Sequence, residues 1–434
     1  MSRPEAPSLW RSPDYMRLWS ATAVSEVGSE VTVLALPLAA ILILHATPFE
    51  VGLLGACQLV PFLVLGLPAG VWVDRMRRRH VMIASDLLRA ALLAAIPALD
   101  AVGALDMPAL LAIAAATGAL WLFFDVAYQS YLPDLTGREG LVEGNAKLEI
   151  ARSGGQIAGP ALGGGLIQAL GAPVAMLVDA ASFVGSAVLL WRIRRPEHAA
   201  TAPGGGGMRA EIAEGLRYVL REPLLRAQAA STGIFNLFSS MFSAVFLLYA
   251  TRVLHLSAGT IGLVFATGTL SVPVAGVLGP RIGARIGLGP SIVAGALISV
   301  GAAPLVIAAP VSAPVPWLVA GFLLLNFGVI LYRIGQLSLR QAITPERMLG
   351  RMNATMRFIV WGVLPLGSLV GGALGGTIGL GPTLAIGIGG TALGIVPVVT
   401  SPIRAIREIP DAPAPERVRV LAHVQHEPHA QELV

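Results

Sequence analysis

Residues 50–99 read EVGLLGACQLVPFLVLGLPAGVWVDRMRRRHVMIASDLLRAALLAAIPAL, and residues 51–73 of this stretch carry no charged side chain. A helix needs about 20 apolar residues to cross the hydrocarbon core of a bilayer, and this run is long enough. It ends on Asp74-Arg75-Met-Arg77-Arg78-Arg79, after which a second apolar run continues to Leu99. A strand of a membrane barrel has about ten residues of alternating polarity, whereas these runs are continuous and twice as long. The backbone of a lipid-buried segment must satisfy its own hydrogen bonds, which leaves helices.

The same alternation recurs along the chain. About twelve apolar segments lie near 18–44, 50–73, 80–99, 106–130, 146–168, 173–192, 224–250, 258–280, 289–309, 315–339, 353–378 and 381–400. Hydrophobic residues make up 55% of the 434 residues and charged ones 13%, with a mean hydropathy of +0.74. That is too little charge for the surface of a soluble domain of this length. The reading is an all-α membrane protein of about twelve transmembrane helices. The first run is too long for the apolar core of a signal peptide and is followed by many more spans.

Orientation follows from arginine. Arg3, Arg11, Arg17, the Arg75–Arg79 block, Arg192, Arg194, Arg195, Arg209, Arg217, Arg221, Arg404, Arg407, Arg417 and Arg419 all fall on one side, whereas the breaks at 45–50, 100–108 and 309–316 carry no Lys or Arg. The positive-inside rule then puts both termini in the cytoplasm, and the cell membrane is the expected location. The formal charge of +5 needs no nucleic acid to explain it; it reports arginines facing anionic headgroups. Cys57 is alone, so there is no disulfide framework.

The longest internal break divides the spans six and six. The expected organisation is an N-terminal segment 1–17, a bundle 18–192, a linker 193–223, a second bundle 224–400 and a disordered tail 401–434. Ala199–Gly207 reads as flexible. Ile212, Leu216, Val219 and Leu220, opposed by Arg209, Glu211, Glu214, Arg217 and Arg221, read as an amphipathic helix on the membrane face. The halves are related. A shift of 208 residues lays Thr136 on Thr344, Asn145-Ala146 on Asn353-Ala354, and Gly154, Gly159, Gly163 and Gly164 on Gly362, Gly367, Gly371 and Gly372. An internal repeat of this kind implies two bundles with a substrate path between them.

Two motifs carry a family resemblance. Gly70-Val-Trp-Val-Asp74-Arg75-Met-Arg77-Arg78-Arg79 resembles the loop 2–3 signature of the major facilitator superfamily, with Arg77 where the family usually has Gly. Gly155-Gln-Ile-Ala-Gly159-Pro160-Ala-Leu-Gly163-Gly164 resembles its antiporter signature. With Ser85-Asp86-Leu-Leu-Arg89, Asp179-Ala-Ala-Ser182-Phe183 and Asn145, the likeness covers residues 10 to 410 and is closest to bacterial enterobactin-type and macrolide-type exporters. It implies the major facilitator fold of two pseudo-symmetric six-helix bundles, working as a monomer without a cofactor. It also implies that the Asp74 carboxylate, flanked by Gly70, Arg75 and Arg78, meets the start of the eleventh helix near Met352–Thr355 and latches one conformation. A carboxylate at a helix N-terminus gains about 0.3–1 kcal/mol; a solvated loop carboxylate is the alternative. The Gly155, Gly159, Pro160, Gly163 and Gly164 stretch combines a proline kink with small-residue packing and is associated in the family with export.

Ionisable residues inside spans point to mechanism, because a charge near the bilayer centre costs several kcal/mol. Glu26 and Glu30 lie one turn apart on one face of the first helix. Desolvation and mutual repulsion suit one of them, Glu30 by its depth, to exchange a proton near neutral pH; selection of cationic substrates is the other use. Asp125 and Arg333 coincide under the 208-residue shift and are candidates for a pair across the cavity. Asp179 is a third cavity charge candidate. Asp86 and Arg89 pair locally, and Arg152 and Arg357 are expected to snorkel to the headgroups. Gln58, Trp121, Tyr128, Gln156, Asn236, Phe238, Asn326 and Trp361 are candidate substrate contacts. His423, His426 and His429 sit in a polar tail and form no expected metal site.

The combined expectation is a secondary transporter that expels an amphipathic small molecule (a drug, macrolide or siderophore) in exchange for protons, with lipids and substrate as its partners. A lysophospholipid or nutrient transporter of the same fold and a sensor without flux are alternatives. An enzyme is disfavoured: the sequence offers no nucleophile–base pair, zinc cluster or phosphate loop.

Overall fold

The computed structural model describes residues 9–137, 140–195, 197 and 208–408. The described residues form helices and turns, with no strand among them. The first half contains α1 (Pro13–Leu42), α2 (Pro48–Asp74), α3 (Arg78–Ala101), α4 (Met107–Thr136), α5 (Leu141–Leu170) and α6 (Ala172–Trp191). The short α7 (Met208–Arg221) follows, then α8 (Pro223–Arg252), α9 (Ala258–Thr269), α10 (Ser271–Ile286), α11 (Leu288–Val300), α12 (Ala302–Ile307), α13 (Pro314–Ile343), α14 (Glu346–Gly362), α15 (Leu364–Thr377), α16 (Leu380–Gly390) and α17 (Ile395–Thr400). Eleven described segments are long and apolar enough to cross a membrane. The remaining span is α5, whose first turns carry Glu143, Lys147, Glu149 and Arg152.

Local chemistry sets the helix starts. Thr47 and Glu50 form a capping box on α2, the Asp106 carboxylate accepts the Ala109 N–H at 2.9 Å, and Ser257 caps α9. Several helices run past the apolar segment: α1 starts at Pro13, α5 at Leu141 and α14 at Glu346. Hydropathy marks only the part of a helix that sits in hydrocarbon, and the polar turns beyond it are invisible to it.

The second half differs in continuity. Its second, third, fifth and sixth spans are each broken, at Leu270, Gly301, Val363 and residues 391–394. A proline stands two or three residues beyond each break, at Pro273, Pro304, Pro365 and Pro397. Each removes the N–H that would bond the carbonyl four residues back. Irregular backbone at membrane depth is tolerated where protein or a cavity receives it.

The core is shared at one end and divided at the other. On the side remote from Ser12 and Ser401, one buried apolar cluster runs through both halves, from Leu36, Leu54 and Leu110 to Phe242, Ile261 and Leu384. On the terminal side the halves keep separate cores, around Tyr15, Met82 and Tyr131 in the first and around Leu225, Met352 and Ile292 in the second. The two bundles are therefore joined on the far side and parted on the terminal side. In the linker, α7 lies against α14. Glu214 pairs with Arg351, and the Tyr218 hydroxyl donates to the Ile343 carbonyl at 3.3 Å. Burial pushes the Tyr218 phenol above its ordinary range.

Residues 401–408 depart from the expected disordered tail. Leu288 N–H donates to Arg407 O at 3.2 Å, Gly289 N–H donates to Ile406 O at 2.7 Å, and Ile403 is buried. This segment satisfies the open start of α11. The rest of the tail, with its three histidines, lies outside the described residues.

Candidate functional site

The site begins where α5 lies on α1. A Cβ placed on Gly155 would meet the Glu26 side chain at 3.1 Å, one on Gly159 would overlap Glu30, and one on Gly163 would meet Val31 at 3.0 Å. Glycine at every fourth position forms a groove one helix turn per step, and the groove seats the two carboxylates and the valine. The neighbouring face of α5 does something else. A Cβ on Gly164 would lie 2.5 Å from Ala258 O and 2.9 Å from Gly262 Cα, and Pro160 O lies against Gly262. One ten-residue motif thus packs α1 within the first half and α9 across the divide.

From Glu26 a ladder of charge crosses to the second half. Arg152 Nε lies 3.3 Å from Glu26 Oε1, and Arg152 Nη2 lies 3.9 Å from Asp125 Oδ1. Arg357 Nη2 donates to Asp125 Oδ2 at 2.6 Å, joining α14 to α4. The guanidinium of Arg152 sits 5.3 Å from the Tyr128 ring and that of Arg357 5.6 Å from the Trp361 ring. Cations over aromatic faces are held electrostatically as well as by their carboxylates. Phe62, Trp121 and Trp361 pack together beside the ladder, with centroids 4.7–5.9 Å apart. Glu30 lies a turn deeper on α1, with no cation within ion-pair distance among the described residues.

Arg357 also lines a cavity of about 800 Å³ that lies in the second half and reaches Glu149 of the first. Its wall includes Val300 and Leu364, beside the breaks at Gly301 and Val363, and Thr391 and Gly394 of the break in the sixth span. Polar side chains of α8 reach the backbone near the breaks: Ser231 Oγ donates to Gly394 O at 2.6 Å, Asn236 Nδ2 to Val360 O at 2.8 Å and Ser240 Oγ to Leu364 O at 2.7 Å. Tyr332 and Gln336 of α13 join Ser231 and Thr232 in one network, with separations of 2.7–3.1 Å. This is a largely apolar chamber with a few converging neutral donors and acceptors and the charged side chains of Glu149, Arg333, Arg340 and Arg357 on its wall, a make-up that suits a small-molecule site.

The far side is sealed twice. Gly52 lies against Gly372, where a Cβ would come 2.8 Å from Gly372 Cα, just as Gly164 lies against Gly262. Ser368 Oγ donates to Gly52 O at 2.7 Å, Gly259 N–H donates to Gln168 Oε1 at 3.1 Å, and Arg252 reaches Ala46 O at 2.7 Å.

Comparison with known proteins identifies the lineage. A model of the Major Facilitator Superfamily matches residues 18–365. The chain belongs to the Major Facilitator Superfamily. It is 30% identical over 416 residues to "Multidrug efflux pump Tap" of Mycolicibacterium fortuitum, covering 91% of this chain and 97% of that one. It is 27% identical to "Enterobactin exporter EntS" of Citrobacter koseri, covering 92% and 95%. Among solved structures, a bacterial homologue of the iron transporter ferroportin superposes with a TM-score of 0.74 in its inward-facing state and 0.61 in its outward-facing state. The identity is 17%, with 89% of this chain and 98% of that one covered in both. The superfamily is one of transporters rather than enzymes, and this chain is a multi-pass membrane protein of that kind.

The superfamily motifs find different places. In the loop 2–3 signature, Arg78 bonds Asp134 at 3.1 Å, Arg79 meets Ile193 O, and Arg75 is the exposed cap of α2. Gly70 has open space around it. The contact expected of the Asp74 side chain with Met352–Thr355 lies outside the described residues.

Several expected placements change. Asp125 pairs with Arg357 rather than Arg333, which lines the cavity on α13. Arg152 and Arg357, expected at the headgroups, turn inward because Asp125 and Glu26 offer partners that lipid does not. Asp179 is fully buried between α1 and α6, taking the Ser182 hydroxyl at 3.0 Å, and does not face the divide. Asp86 and Arg89 lie 3.8 Å apart, with Arg89 bonded to Ser29 and stacked 3.8 Å over Phe183.

Of the candidate contacts, Asn236 and Trp361 line the cavity, and Trp121 joins Trp361. Gln58 packs its backbone on Gly118, Tyr128 is buried beneath Arg152, and Gln156 offers its carbonyl to Thr269. Phe238 packs on Gly390, and Asn326 bonds its own helix at Phe322 O. The Ser231, Thr232, Tyr332 and Gln336 network was missed. Its signal was present as polar residues at one-turn spacing, Ser231 and Thr232 beside Gln228 on α8 and Tyr332 with Gln336 on α13.

Proposed function

We propose that this protein is a proton-coupled exporter of amphipathic small molecules that works by alternating access in the cell membrane, with both termini in the cytoplasm. The observation that carries this reading is the shared far-side core set against two divided terminal-side cores, with the chamber lined as far as Glu149, Arg340 and Asn353 towards the divided side. That is an arrangement ready to take substrate from the cytoplasm. The better superposition on an inward-facing relative agrees with it, as do the export functions named for the two relatives that cover nearly the whole chain.

Substrate enters from the terminal side and rests against the chamber walls of α8, α13, α14 and the break beyond α16. Its apolar body lies on Trp361 and the aliphatic wall; its polar groups replace water at Asn236, Thr232, Tyr332 and Gln336. Protons act on α1. Glu30 takes and releases the proton, and Glu26 ties that event through Arg152 and Asp125 to Arg357 at the chamber wall. Neutralising Glu30 changes the field felt by Glu26 and so the strength of the ladder between halves. A ligand shifts the two states only by its different affinity for each, so proton and substrate must favour opposite ones.

Everted membrane vesicles with an imposed proton gradient provide the test. A pH-sensitive dye is followed while macrolides, cationic dyes and siderophores are added in turn. Gradient loss on adding one class, absent from vesicles without the protein, supports the reading and names the class. A protein that transports one of these compounds with no proton movement overturns the coupling. A lipid-flipping activity in place of all of them overturns the substrate class.

A further inference from the structure

Repeat symmetry makes a demand on the charges at the divide. The repeat read from the sequence is present in the contacts, with an offset of 208 residues from α5 to α15 and of 210 from α1 to α8 and from α2 to α9. Gly159 seats Glu30 and Gly367 seats Ser240; Gly163 meets Val31 and Gly371 meets Met241; Gly164 crosses Gly262 and Gly372 crosses Gly52. An operation that exchanges the halves therefore carries each contact across the divide onto a second one.

Applied to the ion pair Asp125–Arg357, the exchange sends Asp125 to position 333 and Arg357 to position 149. Position 333 is arginine and position 149 is glutamate. The mate of an observed carboxylate–guanidinium pair is thus another carboxylate–guanidinium pair with its charges reversed between halves. In this conformation the mate is not made. Glu149 and Arg333 both line the chamber, and Glu149 is the only residue from the first half among the described lining residues. Neither has an opposite charge within ion-pair distance among the described residues.

The two flanks of the divide differ accordingly. On the flank of α2 and α14, the closure continues from Gly52–Gly372 through Phe62 and Trp361 down to Asp125–Arg357. On the flank of α5 and α9, the closure runs from Gly164–Gly262 to the bond from Thr269 to Gln156 O, 3.3 Å, and Glu149, two turns before Gln156 on α5, already lines the chamber.

We propose that Glu149 and Arg333 form the second inter-half ion pair, which closes the chamber on the terminal side in the conformation not seen here. The pair is parted while the chamber is open to the terminal side, and it forms when α5 and α13 approach. Charges left facing a hydrated chamber keep their solvation, so parting costs little; on closure each loses water and gains the other, which is the condition for a reversible gate. The proposal rests on the alternating-access reading and needs neither the proton coupling nor the substrate class of that reading.

The test uses full-length protein with Cys57→Ser and a protease site in the linker at 199–207. Glu149→Cys with Arg333→Cys is treated with a short bismaleimide, the linker is cleaved, and joined halves are counted on a gel. Asp125→Cys with Arg357→Cys is the control pair. Gly372→Leu, which inserts bulk into the far-side seal, moves the population towards the state closed on the terminal side. The 149–333 yield should rise at least about fivefold with Gly372→Leu while the control pair joins in both backgrounds. A 149–333 yield that Gly372→Leu leaves unchanged, or no joining while the control pair joins, overturns the proposal. No substrate is needed, so this result stands apart from the vesicle experiment. If Gly372→Leu does not fold, charge exchange decides. Glu149→Arg and Arg333→Glu each slow transport about tenfold, and the double variant recovers to within about threefold of the parent. Failure of the double variant to recover, with both proteins folded in the membrane, overturns the pair.

Discussion

The seam between α1 and α5 and the seam between α8 and α14–α15 are built on the same frame with opposite chemistry. In the first, glycines 155 and 159 seat Glu26 and Glu30. In the second, the corresponding positions on α8, 210 residues on, are Asn236 and Ser240, and they hydrogen-bond Val360 O and Leu364 O. The reason lies in the backbone of the partner. α5 is continuous through Pro160, whereas α14 and α15 part just before Pro365. A broken helix leaves carbonyls to be satisfied, and neutral donors on α8 do this. In α5 the carbonyl that Pro160 frees, Gln156 O, is met from α9 by Thr269, which leaves the carboxylates of α1 for arginines, protons or both. The molecule thus keeps the carboxylates of its inter-half ladder on the first half and the neutral hydrogen-bonding network of its chamber on the second.

The comparison is broken most violently by filling its seats. Gly159→Leu and Gly367→Leu each force a side chain into a neighbouring helix: Gly159 onto Glu30, and Gly367 onto Ser240 Cβ at 3.0 Å and the Leu237 backbone. Overpacking of this kind costs about 1–3 kcal/mol, and more against backbone that cannot yield. Both should lose most of the monodisperse peak in detergent size-exclusion chromatography. Gly70→Ala, where the added methyl meets open space, should leave that peak unchanged. A normal peak for Gly159→Leu would show that the glycine seat is not what holds α1.

Cutting the ladder comes next. Asp125→Asn removes the carboxylate shared by Arg152 and Arg357. Losing one member of a half-buried pair costs about 1–3 kcal/mol, between the surface and buried limits. Transport should fall about tenfold with folded protein retained. A rate within twofold of the parent would separate the ladder from function.

The chamber network gives the smallest effect. Tyr332→Phe removes the hydroxyl bonded to Ser231 and Thr232 at 3.0 and 3.1 Å. One neutral hydrogen bond is worth about 0.5–1.5 kcal/mol, so KM should rise about threefold to tenfold with kcat nearly unchanged. The same change in kcat alone would move the network from substrate binding to conformational exchange.

The fold was open to a reader of the sequence because lipid imposes a simple rule: every span must be long, apolar and helical. Apolar length located the spans, and the 208-residue repeat pointed to the two bundles. The glycine motif was equally visible as a spacing. Its meaning was not, because glycines at 155, 159 and 163 and carboxylates at 26 and 30 become one object only when α5 lies on α1. The ion pair shows the same limit. Asp125 and Arg333 coincide under the repeat, yet Asp125 pairs with Arg357 on α14 while Arg333 lines the chamber with no carboxylate within ion-pair distance among the described residues. The arginines at 152 and 357 were assigned to the headgroups from their depth alone, when their partners on α1 and α4 decide their direction. The helix breaks in the second half were also hard to read, since prolines 37, 61, 97 and 160 sit within helices that stay continuous.

The division of labour between the halves is tested most directly by Glu30→Gln in reconstituted vesicles, once a substrate is in hand. Two rates are compared for the same protein: uphill transport driven by a proton gradient, and exchange of labelled for unlabelled substrate with no gradient. The account predicts that uphill transport is lost and exchange persists near the parental rate, because the chamber lies in the other half and is untouched. Uphill transport retained in Glu30→Gln would contradict it and remove the proton from α1.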